Sequence, residues 1–304
     1  MKLFLQSAYL SSAISLIYVA LLYRSHPFRR LPIVSILSTF TVGMFAVVPV
    51  VIFYRFIPWL NPDGLLGAIL VAPAVEESVK LVLFAVTVRR LGYPSLIEPL
   101  DYAIFFGILG VGFGIYEDFW YIFGTTYTSW VSGDNSRFIE VFRWMAYARS
   151  FPGHVLFNAM AGFLLGWGMC QAEGKARWGW FAGAFMAAFF AHGLFNLAAS
   201  QRGTLLLWSL VVLYLGMILL LRRRVLTVSP FAALRELVRE KRSSWEFSIS
   251  PVDALFADGF SWPGRAKRSL LAFYPLTLSL IVLFPVLVSC VYFMHRLLSI
   301  GWKR

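Results

Sequence analysis

Apolar runs of about twenty residues recur along this chain, at 3–23, 33–53, 65–88, 102–123, 152–170, 178–198, 205–221 and 270–294, with polar connections between them. Roughly 20 apolar residues in a helix cross the hydrocarbon of a bilayer, where a helix satisfies its own backbone hydrogen bonds. The pattern predicts an all-α, polytopic integral membrane helical bundle of about eight transmembrane helices. The first run is longer than a signal-peptide core and lacks a small-residue cleavage site, so it reads as a span. Between the fourth and fifth spans, 138–148 reads as a short interfacial helix with Arg143 and Arg149 near its end. Three regions follow. Residues 1–224 hold seven spans, and 269–304 an eighth span and a basic tail. Between them, 225–268 is a membrane-apposed connection opening on an amphipathic helix with Phe231, Leu234 and Val238 on one face.

Composition agrees with this class. Of 304 residues, 59% are hydrophobic and 14% charged, and 29 are phenylalanine. The net charge of +12 could suggest nucleic acid as a partner, but the basic residues sit in connections between apolar runs. That placement suits anionic lipid headgroups and orientation by the positive-inside rule, and it argues against nucleic acid. The connections after spans one, three, five and seven carry Arg24, Arg29, Arg30, Arg89, Arg90, Lys175, Arg177 and ten basic residues between Arg222 and Arg268. The opposite connections carry Arg55, Arg137, Arg143, Arg149 and Arg202. The first group is therefore expected in the cytoplasm, which leaves both termini extracytoplasmic. Cys170 and Cys290 form no metal signature, and nothing in the pattern fixes an oligomeric state.

Against this background the third span stands out, because Glu76, Glu77 and Lys80 interrupt it. A charge at the middle of a transmembrane helix costs about 3 kcal/mol on insertion scales, so it faces a partner, a cavity or a path. Glu76 and Lys80 lie four apart on one face and are the expected ion pair, which leaves Glu77 for a cavity. Pro73 is expected to disturb the helix just before them and free backbone groups beside protein or water. The glycines of GILGVGFGIYED in the fourth span suit close helix packing, but they do not account for Glu117 and Asp118.

Two of the four histidines carry a shared pattern. His154 and Asn158, and His192 and Asn196, each lie four apart on a helix face. With the orientation above, Glu117, His154 and His192 share a depth in the outer half of the membrane, and Glu76 and Glu77 lie slightly deeper. Such a set can hydrolyse a peptide bond by having a carboxylate take a proton from water while an imidazole polarises the carbonyl. Alternatively, Glu117, His154 and His192 suffice as protein ligands for a divalent metal such as zinc, with Glu77 as a further ligand or base. Asn158 and Asn196 would orient ligands, hold a water or bind substrate backbone. A transporter or channel using the buried charges, and a catalytically silent scaffold, are the other classes these residues allow.

Taken together, Glu76-Glu77-x-x-Lys80, Phe113-x-x-x-Glu117, His154-x-x-x-Asn158 and His192-x-x-x-Asn196 resemble the PrsW family of intramembrane proteases. That family is distantly akin to the CAAX-processing and bacteriocin-immunity membrane endopeptidases. The resemblance covers about 63–199. It implies a membrane endopeptidase in the plasma membrane of a prokaryotic cell, acting on a membrane-anchored protein such as an anti-sigma factor near the extracytoplasmic surface. It also implies that Glu76, Glu77, Glu117, His154 and His192 are catalytic. Relatives commonly have Glu-Asn where this chain has Glu117-Asp118, an added carboxylate that bears on metal affinity or substrate choice.

Overall fold

A computed structural model describes residues 2–28, 30–57, 64–91, 96–131, 135–149, 151–171, 176–200 and 204–229. Among these residues ten α-helices run in order: α1 (Lys2–Arg24), α2 (Ile33–Phe45), α3 (Val47–Phe56), α4 (Gly64–Leu66), α5 (Ala72–Leu91), α6 (Pro99–Val131), α7 (Asn135–Arg149), α8 (Gly153–Gln171), α9 (Ala176–Ser200) and α10 (Thr204–Val228). The chain is an all-α, polytopic membrane bundle. Among the described residues, six stretches are long and apolar enough to cross a membrane: Leu3–Arg24, Ile33–Phe56, Pro99–Ser129, Gly153–Cys170, Ala176–Ser200 and Leu205–Leu226. Six of the expected eight are found among the described residues, for two reasons. Helix α5 has the length, at 20 residues, but its buried charges dilute its apolar character. The eighth run, at 270–294, and nearly all of the 225–268 connection lie outside the described residues.

Helix α6 is the axis of the bundle. Its most apolar window is 94% buried, against 22% for α1 and for the final span. It packs against α1, α2, α7 and α8, and α8 in turn carries α9 and α10. The outer helices present Ile17, Leu21, Val212 and Leu220 outward, as lipid-facing surfaces should. The glycines of α6 do what their spacing suggests. A Cβ on Gly112 would lie 2.1 Å from the Phe40 carbonyl oxygen, and one on Gly43 of α2 would lie 2.1 Å from the Leu109 carbonyl oxygen. At this crossing the two backbones touch, and each glycine makes room for the other helix.

Proline shapes the other two irregularities. Pro49 has no N–H for the Phe45 carbonyl, and the second span breaks at Ala46 into α2 and α3. Ahead of Pro73, residues Gly67–Val71 form a π-helical turn that leads into α5. The Ala72 N–H reaches back to the Gly67 carbonyl, which leaves the Ala68 carbonyl without its usual helical donor. The Asn196 side chain of α9 donates to that carbonyl from Nδ2 at 2.8 Å. The expected disturbance at Pro73 is thus present, and the second histidine-asparagine motif closes it.

Candidate active site

Each motif sits on its own helix. Helix α5 supplies Glu76, Glu77 and Lys80, α6 supplies Glu117 and Asp118, α8 supplies His154 and Asn158, and α9 supplies His192 and Asn196. Because Lys80 is wholly buried, its ammonium must be compensated inside the bundle. It bonds Glu77 Oε1 at 2.5 Å, lies 3.1 Å from His154 Nδ1, and sits over the Phe113 ring at 4.5 Å from its centroid. An ammonium only donates, so His154 Nδ1 accepts and the imidazole hydrogen lies on Nε2, toward Glu117 Oε2; ligation of a metal through Nε2 would require that hydrogen to leave Nε2 and the Lys80 contact at Nδ1 to turn.

Glu77 is the most heavily bonded of the carboxylates here. Besides Lys80, its Oε1 accepts from His192 Nδ1 at 2.8 Å, and its Oε2 accepts from Asn158 Nδ2 at 2.8 Å. Glu76 differs. Its Oε2 is buried without a hydrogen bond and lies 3.9 Å from His192 Nε2. The pairing of adjacent glutamates is therefore the reverse of the expected one: Lys80 holds Glu77, and Glu76 is left facing the histidines. The physical reason is helical. Positions three apart are neighbours as much as positions four apart, so spacing alone could not choose between the two.

The histidine rings meet edge to face, with centroids 4.9 Å apart. Phe157 stacks on His192 at 4.8 Å, and Phe113 meets the His154 edge at 5.0 Å, so aromatic walls fix both imidazoles. Glu117 accepts from His154 and from Arg149 Nη2 at 2.7 Å, while Asp118 accepts from Arg149 Nε at 2.8 Å. Arg149, at the end of α7, was read from sequence only as an interfacial cation. The overlooked signal was charge complementarity: it precedes His154 by five residues and Glu117-Asp118 shares that end of the bundle. Burial opposes its charge, but Glu117 and then Asp118 outweigh burial and push its pKa above the usual arginine range.

A cleft opens beside these groups, with Tyr18, Glu117, Arg149, His154, His192 and Asn196 in its wall. Pro152, Gly153 and His154, where α8 begins, are in the same wall. A family model described as PrsW family intramembrane metalloprotease matches residues 31–221. The chain belongs to the PrsW family of intramembrane metalloproteases. No curated protein and no solved structure gives a match.

Membership raises the question of the metal, and the residues present fit one. One ligand atom from each of Glu76, His154 and His192 lies within 4.8 Å of the others, and all three residues are buried. Two imidazoles and a carboxylate are a known ligand set for catalytic zinc, and the unbonded Glu76 Oε2 is the kind of orphan that an ion would satisfy. The bond from His192 Nδ1 to Glu77 fixes the imidazole and turns its Nε2 toward Glu76, as a carboxylate behind a ligand histidine does. This set differs from the expected Glu117, His154 and His192. Glu117 Oε2 is shared between His154 Nε2 and Arg149 Nη2, and it is Glu76 that groups with the two histidines at metal-like spacing. A second buried trio with metal-like spacing, His26, Glu98 and Asp101, lies near the other end of α6.

Proposed function

We propose that this PrsW-family protein is an endopeptidase that hydrolyses a peptide bond in a membrane-anchored protein, near the extracytoplasmic surface. The observation that carries this reading is the convergence of Glu76, His154 and His192, from three helices, beside the cleft that Glu117 and Arg149 border. In this reading Glu76, His154 and His192 hold a divalent metal such as zinc, which when bound polarises the scissile carbonyl and acidifies water. Glu77 orients His192, and Lys80 and Asn158 hold Glu77. Glu117 lines the cleft, as Glu76 and Glu77 do not, so it is the carboxylate placed to accept a proton from water and return it to the departing amine. Its contact with Arg149 fixes the carboxylate in place. Asn196 keeps the π-turn and the glutamates of α5 in register with α9.

The basic-residue asymmetry supports a plasma-membrane protein with both termini extracytoplasmic, which puts the start of α8, and the cleft residues there, on the outer side. A single-span substrate would reach the cleft there, where its strand can leave the hydrocarbon and meet water. The boundaries at 224 and 268 are retained as the proposed division of the chain.

The test is purified full-length protein in liposomes with a panel of single-span substrates, scored for new termini by mass spectrometry. Wild type is expected to cut, and Glu76→Gln, Glu117→Gln, His154→Ala and His192→Ala to lose cutting while still folding. Stripping the protein with a chelator should abolish cleavage, and zinc should restore it. Cleavage that persists in all four variants rules out this constellation, and cleavage that survives verified metal removal rules out the metal.

A further inference from the structure

The second trio is constructed in a way the proposed protease site does not explain. His26 follows α1, Glu98 precedes α6, and Asp101 lies in the first turn of α6; all three are buried. The trio is 16 residues from Glu117 along α6, or about 24 Å at the rise of an α-helix, and belongs to the opposite end of the bundle. By the basic-residue asymmetry this is the cytoplasmic end.

Each carboxylate is anchored by one oxygen and presents the other. Asp101 Oδ2 accepts the backbone N–H groups of Ile97 at 2.8 Å and Glu98 at 2.9 Å, while Oδ1 lies 3.3 Å from His26 Nε2. Glu98 Oε2 accepts from the Ser229 hydroxyl just past α10, while Oε1 lies 2.9 Å from His26 Nε2. That Oε1 and Asp101 Oδ1 both face His26 Nε2 inside the bundle, where all three residues are buried. Such fixing of ligand carboxylates through their far oxygens is how second shells build metal sites. Donor separations of 2.9 and 3.3 Å approach the tetrahedral edge of about 3.3 Å set by bonds of roughly 2.0 Å.

We propose that His26, Glu98 and Asp101 form a second divalent-cation site that staples the cytoplasmic ends of α1, α6 and α10. One imidazole and two carboxylates favour zinc or a similar transition ion over calcium or magnesium, which seek more oxygens. With three protein ligands, the remaining position belongs to water. Binding at Nε2 requires the imidazole hydrogen to sit on Nδ1, which now accepts the Phe28 N–H at 3.3 Å. At 3.3 Å that contact is longer than the 2.8 and 2.9 Å bonds that hold Asp101, so it is the one to yield. The Ser229 bond to Glu98 extends the staple to α10, and the end of α1 is tied in through His26.

The test separates this site from the proposed catalytic one. Full-length protein carrying His154→Ala and His192→Ala is purified without a polyhistidine tag, stripped with a chelator and titrated with zinc, and bound metal is counted by mass spectrometry. One zinc per chain is expected, together with a higher melting temperature. Adding His26→Asn, or separately Glu98→Gln, should weaken that binding by more than about 100-fold, since loss of a ligand exceeds the loss of an outer-shell partner. Each variant is first matched to its parent by size-exclusion profile and helicity. Absence of zinc from the double-alanine protein overturns the site, as does zinc retained unchanged in folded His26→Asn and Glu98→Gln proteins. Failure of the cleavage assay leaves this count unaffected, so the two readings stand or fall separately.

Discussion

Glu77 Oε1 accepts from His192 Nδ1 at 2.8 Å and from Lys80 at 2.5 Å, so one buried oxygen joins a charge-compensating pair to an imidazole of the cleft. Glu77 thus bridges Lys80 and His192, while its neighbour Glu76 keeps an unbonded oxygen toward the histidines.

The adjacent glutamates should therefore respond differently to the same change. Glu77→Gln removes the counter-charge of a wholly buried lysine, and breaking a buried pair costs about 3–5 kcal/mol. Thermal melts in detergent should show a large drop for Glu77→Gln. Glu76→Gln should leave the melt of metal-free protein within a few degrees of wild type and act on zinc affinity instead. Equal melting losses for the two would show that Glu76 shares the structural load.

A backbone argument gives the second expectation. Asn196 donates to the Ala68 carbonyl that the π-turn leaves open, and an unsatisfied buried polar group costs about 1–3 kcal/mol. Asn196→Leu should destabilise by that amount and slow proteolysis while the zinc stoichiometry stays unchanged. Asn196→Asp cannot donate when ionised and should not rescue it. If the leucine variant instead loses its metal with an unchanged melt, Asn196 serves the site directly and not the turn.

Much of this arrangement was legible in the sequence, and its limits have physical causes. Apolar runs gave the helices and the histidine-asparagine spacing gave the faces, because both depend on periods local to one element. Pro73 announced the broken helix before its form was visible. What spacing could not decide was which of Glu76 and Glu77 meets Lys80, since the third and fourth positions along a helix are both neighbours. Nor could it show Arg149 on Glu117, because that contact joins α7 to α6 across chain distance. The trio at His26 was missed for the same reason: His26 and Glu98 lie in different connections, and only packing brings them together.

The crossing of α2 and α6 yields a sharper packing test. A side chain at Gly112 must enter the space of the Phe40 carbonyl, whereas a Cβ at Gly124 meets no atom within 4 Å. Gly112→Val should cost at least about 1–3 kcal/mol in overpacking and yield little folded protein by size-exclusion chromatography. Gly124→Ala, on the same helix, should be neutral or stabilise by up to about 1 kcal/mol. A well-folded Gly112→Val protein would contradict the backbone contact.

Arg149 offers the last expectation, because its guanidinium holds Glu117 through Nη2 and Asp118 through Nε at once. If that fork keeps Glu117 aimed at the cleft, Arg149→Ala should reduce kcat by about 100-fold, the scale of a misplacement near 1 Å, with zinc binding intact. Arg149→Lys should recover only part, because an ammonium cannot reproduce two directed N–H bonds in a fixed plane. Asp118→Asn alone should be mild, since Glu117 still receives its bond. In the Arg149→Ala background, however, Asp118→Asn should have a different effect from that in wild type, because the carboxylate no longer has its cation. A double-mutant cycle should give a coupling of about 0.5–3 kcal/mol between positions 118 and 149. Strictly additive losses would uncouple Asp118 from Arg149, and an Arg149→Ala protein as fast as wild type would remove Arg149 from the positioning of Glu117 and leave it as a tie between α7 and α6.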